Sequence, residues 1–214
     1  MGKAVNCAGL VALTLGLSFV AQGATIYNNG GPNQFSGSQM SDFLVAENFT
    51  VGGTSDISNI RFWSIQALVS DYLGSVYWAI HSNVASQPGA ILQGGVTTAV
   101  TANPTGAAAS TVAGYDEYVF DIPVAFQLTS GNYWLALHNG SLATNSGTEM
   151  FWATTSLGNA SESLVDDGVN GWVASGNEQA FQIDGAAAGA IPEPGTFLLL
   201  AGGLAAAAIL RRKS

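Results

Sequence analysis

The stretch that most restricts the fold is Gly74–Ser82, GSVYWAIHS. In an extended chain Val76, Trp78 and Ile80 point to one side and Tyr77, Ala79 and His81 to the other. Aromatic and β-branched residues repeating with period two are a strand signal. Bulk on both faces demands cover on both faces. The alternation recurs. In Ile57–Gln66, Ile60, Phe62 and Ser64 oppose Arg61, Trp63 and Ile65. In Tyr115–Ile122, Tyr118, Phe120 and Ile122 oppose Val119 and Asp121, and Val124–Leu128 continues beyond Pro123. Asp42–Val51, Tyr133–His138, Glu149–Thr155 and Gln179–Asp184 also read as strands.

Glycine, asparagine and proline punctuate these runs. Ser86–Gly89 reads as a turn, followed by short strands at Ala90–Leu92 and Val96–Val100. Thr101–Gly114 reads as a mobile small-residue loop, and Asp166–Gly171 as a tight turn leading to Trp172 and Val173. The whole gives about ten short strands with no helical periodicity between them, which predicts an all-β antiparallel sandwich. A jelly-roll-like topology is preferred, because the long aromatic strands need a second sheet over them; an immunoglobulin-like sandwich is the alternative. A parallel sheet would need crossover helices, for which there is no pattern.

The two ends have a different character. Residues 1–24 carry Lys3, an apolar run around Leu10–Val20, and Ala21-Gln22-Gly23 as a small-x-small site, with cleavage after Gly23 or after Ala24. That is the layout of a secretory signal peptide; a retained N-terminal anchor is the alternative. Residues 25–184 form the β domain and 185–190 (GAAAGA) a flexible linker. Pro192 and Pro194 discourage a helix before Gly195. Gly195–Leu210 is uncharged and rich in Leu and Ala; its sixteen residues make roughly 24 Å of helix. That is short against ~30 Å of hydrocarbon, but Arg211 and Arg212 can snorkel to the head groups. Arg211, Arg212 and Lys213 then stay cytoplasmic, which leaves the domain outside. A buried core helix is the other way to use such a segment.

Pro192-Glu193-Pro194, the apolar run and the basic terminus together resemble the PEP-CTERM sorting signal of Gram-negative bacteria. The resemblance is confined to about 24 C-terminal residues, 191–214. It implies an exosortase as processing partner and transient residence in the inner membrane. It further implies delivery to the cell surface or matrix, where the hosts make exopolysaccharide and biofilm. It implies nothing about the chemistry of the domain.

Charge and cysteine usage exclude several functions. Arg61 is the one basic residue between 25 and 190, against thirteen carboxylates, a formal charge of −12. Nucleic acid is not a partner on those terms. The single cysteine, Cys7, lies in the leader without lipoprotein context, so thiol catalysis, zinc–thiolate and iron–sulfur sites are excluded from the domain.

Catalytic chemistry finds little to work with. His81 and His138 are the only histidines, no Gly-x-Ser-x-Gly elbow exists, and adjacent Asp116 and Glu117 point to opposite faces of a strand. No catalytic residue and no cofactor is expected. Asp166, Asp167 and Asn170 in a Gly-rich turn could hold Ca²⁺, but no distal bidentate Glu stands at the right spacing. Of the five tryptophans, Trp172 is the one expected to be exposed, with Asp167 and Asn170 beside it as a candidate glycan-stacking site. The expected role is non-catalytic: a structural or interaction protein of the surface or matrix. A carbohydrate-binding module is the first rival and a hydrolase the remote one.

Overall fold

The computed structural model describes residues 23–98, 100–109, 114–144, 146–158 and 162–189. The expected signal peptide 1–24, apart from Gly23 and Ala24, and the sorting motif, transmembrane helix and basic stop within 191–214 lie outside the described residues. Among the described residues no helix is long and apolar enough to cross a membrane.

The described residues are all-β apart from one 3-10 turn at Val69–Asp71. The strands are β1 (Ala24–Asn28), β2 (Gly37–Gln39), β3 (Leu44–Val51), β4 (Ser55–Gln66), β5 (Val76–Val84), β6 (Gln87–Thr97) and β7 (Asn103–Ala108). They continue with β8 (Asp116–Leu128), β9 (Gly131–Asn139), β10 (Met150–Ala153), β11 (Leu164–Asp166), β12 (Val173–Ala174) and β13 (Phe181–Ala187). Two antiparallel sheets result, one of seven strands and one of six. In the first, β4 is the axis: β8 pairs along its whole length on one side, while β13 and β10 share the other. β1 and β2 lie outside them, and β7 lies outside β8. The second runs β12-β11-β3-β9-β5-β6.

The sheets face each other across one core. Ile57, Ile60, Phe62, Phe120, Ile122 and Phe181 come from the first; Val45, Phe49, Val76, Ile80, Leu135 and Leu137 come from the second. Alternation therefore does what period two requires, sending one face of each strand inward. Phe62 and Phe120, directly opposed on β4 and β8, stack at 4.8 Å. Phe49 meets Phe181 edge-on across the sheets at 6.1 Å. Such pairs add ~0.5–1.5 kcal/mol each beyond the area they bury.

Several expectations need correction. The turn read at Ser86–Gly89 is one step earlier: Ala85 and Ser86 form a two-residue loop between paired Val84 and Gln87. Gln87–Thr97 is then one strand, not two. As an edge strand it tolerates Pro88, which has no N–H to donate, and its glycines. Gly94 is needed there, because a Cβ would press on the Trp78 carbonyl at 2.8 Å. The supposed loop 101–114 contains β7, whose backbone pairs with β8 at Asn103 and Pro104 and again at Ala108. β2 and β11 went unread because strands of three residues carry too little alternation to see. Finally, residues 185–187 of the expected linker belong to β13, and the Ala188 N–H bonds the Thr54 carbonyl at 2.8 Å. Composition announced flexibility there, but the edge of β4 at Ser55–Ile57 supplies backbone partners that any side chain can use.

Candidate functional site

The outer face of the six-stranded sheet collects nearly everything that was singled out. Its outward residues follow from alternation opposite to the core positions: Ala46 and Asn48 on β3, Asn132, Trp134, Ala136 and His138 on β9, Tyr77, Ala79, His81 and Asn83 on β5. Register places Ala46, Ala136, Ala79 and Gly94 in one row across four strands. Small side chains in a row leave a trough. Trp134, Leu164, Leu44, Tyr77 and Trp172 fill it.

Trp172 is therefore half-buried rather than exposed. Its ring meets that of His81 edge-on at 6.0 Å. The sequence placed it beside a turn, and turns are usually wet; only the trough on a distant part of the chain decides otherwise. The remaining indoles are divided. Trp152 and Trp78 serve the inter-sheet core, and Trp63 packs with Tyr115 and Phe151 on the far sheet. Trp63, Tyr115 and Phe151, all half-buried, share the outer face of the seven-stranded sheet, away from Trp172 and the trough.

The Asp167 and Asn170 side chains brace their own loop. Asp167 Oδ1 accepts the backbone N–H groups of Val169 and Asn170, both at 2.8 Å, and its Oδ2 accepts Asn170 Nδ2 at 2.8 Å. Asp166 Oδ1 accepts the Gly168 N–H at 2.8 Å. These N–H groups hold the Asp167 carboxyl below its usual range, the backbone of Asn170 contributing most. No group of three or more His, Cys, Asp or Glu able to hold a metal occurs among the described residues.

The histidines do not meet. His81 stands opposite Trp134 and His138 opposite Tyr77, four residues along the strands, or roughly 13 Å. His81 Nδ1 lies 2.9 Å from the Gly89 carbonyl; because a carbonyl can only accept, Nδ1 carries the proton. His138 lines a cleft of about 210 Å³ with Asp42, Leu44, Leu142, Asp166, Asp167 and Gly168. Burial lowers its pKa, against the opposing backbone hydrogen bonds of Gly140 and Asn139 and the charge of Asp42. The pairing of two histidines with a carboxylate that hydrolysis would want is not assembled on this face.

Two features escaped sequence reasoning. One is a second cleft of about 210 Å³ at the opposite end of the same face, lined by Asn48, Asn83, Asn132, Ser86, Trp134 and Phe49. Its signal was present: Asn48, Asn83 and Asn132 each continue the outward alternation of a different strand. The other is Glu47, fully buried on the inward row Val45, Glu47, Phe49. Glu47 Oε2 accepts the Gln179 N–H at 2.8 Å and Oε1 that of Asn48 at 3.0 Å. Burial outweighs these bonds and pushes its carboxyl up to about 9, with Glu178 adding to the rise. Gln179 in turn donates to Ser38 Oγ at 2.8 Å and Ser163 Oγ at 2.9 Å, and its carbonyl accepts Asn29 Nδ2 at 2.9 Å. The network knits β3 to β2, to Asn29 just after β1, and to the residues just before β11 and β13.

The domain's only cation is spent internally. Arg61 Nε and Nη2 engage Asp121 Oδ1 and Oδ2 at 2.8 and 2.9 Å, the one salt bridge among the described residues. What the fold defines is an acidic, face-to-face pair of antiparallel sheets with its functional address elsewhere in the chain. Residues 190–213 match the family model of the PEP-CTERM protein-sorting motif. That motif marks an exported chain sorted by an exosortase. No curated protein and no solved structure matches the chain.

Proposed function

We propose that the chain is a non-catalytic structural or interaction protein of the cell surface or matrix. It enters by the Sec pathway on the leader 1–24. It then pauses with residues 191–214 in the inner membrane and the domain in the periplasm, and is released by the exosortase at Pro192-Glu193-Pro194. Its setting is exopolysaccharide or biofilm. The observation that carries the reading is the sorting-motif match at 190–213.

The fold is consistent with such a display role. The strand order β1-β13-β4-β8 against β3-β9-β5-β6 is the interleaving of a jelly roll, which favours that topology over the immunoglobulin-like one. β1 and β13 are neighbours, with Ala24 opposite Gly185, so the domain is entered and left at one end. The test is processing. Replacing Pro192, Glu193 and Pro194 by alanine should leave full-length precursor in the inner membrane, read by fractionation and intact mass. Normal surface delivery of that variant, or surface material still carrying Phe197–Ser214, overturns the assignment.

A further inference from the structure

We infer that the cleft of Asn48, Asn83, Asn132 and Ser86 is a binding site for one unit of a neutral polysaccharide. The inference deepens the reading of a matrix protein and rests on it. Four observations carry it.

The first is chemical. The polar groups that line the cleft are three carboxamides and a hydroxyl, and no ionisable group is among its lining residues. On a domain with thirteen carboxylates, that is a neutral window. A carboxamide offers both donors and an acceptor, as each sugar hydroxyl does, so the two classes match group for group. An anionic polymer would meet the surrounding negative charge, and a cation would find no carboxylate inside.

The second is orientation. Trp134 Nε1 donates to Asn83 Oδ1 at 2.9 Å. An indole N–H cannot accept, so this bond fixes which end of the amide is oxygen and leaves the Asn83 NH₂ to donate. Thr50 Oγ1 donates to Asn132 Oδ1 at 2.7 Å and leaves the Asn132 NH₂ in the same state. The amides are thus held by groups from the sheet itself. Holding them beforehand lowers the ordering cost of binding.

The third is backbone. Ala85 and Ser86 both adopt left-handed conformations, φ 50° and 61°, in the two-residue loop that joins β5 to β6. Such a loop ordinarily takes Asn-Gly or a similar pair. A non-glycine residue there costs ~1 kcal/mol or more. Ser86 is one of the cleft's lining residues, and glycine would remove its hydroxyl. Stability is given up at the position where a side chain faces the cleft, a pattern that accompanies function.

The fourth is size and access. About 210 Å³ is the space of about seven waters, enough for one hexose ring. Asn83, Ser86 and Asn132 are exposed and Asn48 is half-buried, so the polar rim is open to a polymer chain passing over it. Trp134 is only 2% exposed and forms the floor without offering a stacking face. Contact is by hydrogen bonds, hence weak per site, and useful through many copies along one polymer.

The test uses the full chain, with neutral hexaoses of glucose, mannose and galactose and a hexameric polyuronate as probes, followed by calorimetry or saturation-transfer NMR. At least one neutral hexaose should bind and the polyuronate should not. Ser86→Gly should weaken that binding about fivefold while raising the unfolding midpoint, a combination that damage to the fold cannot produce. Asn132→Ala should weaken it similarly. Binding of the polyuronate alone, or of no probe, overturns the site while leaving exosortase sorting untouched. Binding that survives both variants but is lost in Trp172→Ala places the contact on the Asp167 loop and also overturns it.

Discussion

Glu47 should make this domain lose stability as the solution becomes more alkaline. In the fold its carboxyl is pushed from the ordinary 4.5 to about 9 by burial. Between those values the folded chain keeps a proton that the unfolded chain has released. Unfolding therefore releases a proton, and stability falls as pH rises. The contribution is complete below 4.5 and is lost on the way up through about 9. Its slope is ~1.4 kcal/mol per pH unit, so raising pH from about 7 to about 8.5 should cost about 2 kcal/mol. The window starts at 7 for a reason. His138 is held neutral by burial, below its ordinary 6.5, so its own contribution is present above that value and lost as pH falls below it. Above 7 the histidine is neutral in both states. The assay is urea unfolding followed by tryptophan fluorescence at several pH values, for the wild type and Glu47→Gln. The variant's amide cannot satisfy both backbone donors, so its absolute stability will drop; the slope is the readout. The wild-type curve should fall across the window and the variant's should stay level. Parallel curves would show that Glu47 is ionised in the fold and that burial does not win over its two backbone bonds.

Two further outcomes follow from packing. Asn139, fully buried, donates to Ser41 Oγ at 2.9 Å and to the Asp71 carbonyl at 2.7 Å, while its Oδ1 accepts the Leu73 N–H at 3.0 Å. Asn139→Ala strands these groups and should cost about 2–4 kcal/mol, seen as a lower urea midpoint with unchanged m-value; a loss below ~1 kcal/mol would mean that water replaces the amide. At Gly185 a Cβ would overlap the Asp56 carbonyl oxygen, so Gly185→Ala should separate β13 from β4 and cost about 1–3 kcal/mol. Hydrogen exchange should then accelerate at Ala186–Ala188, whereas unchanged protection there would show that the sheet absorbs the methyl.

The inward and outward faces of β4, β5 and β8 were legible, because alternation is a local property and hydrophobic residues must leave water wherever the strand ends up. The sorting signal was legible for the same reason: order along the chain is all it consists of, and it matches at 190–213. Pairing was not. Val45 lies beside Leu137 and Ala24 beside Gly185, through backbone groups that are alike in every residue, so nothing in the side chains names the partner. The same gap hid β7 and residues 185–187 at the end of β13. It also decided the site. Trp172 looked like an exposed ring until a row of alanines from three other strands made a place for it. Glu47 drew no notice in the sequence, and only its strand's inward row beside Gln179 shows what it does. And three asparagines separated by 35 and 49 residues became one cleft only when β3, β5 and β9 were laid side by side.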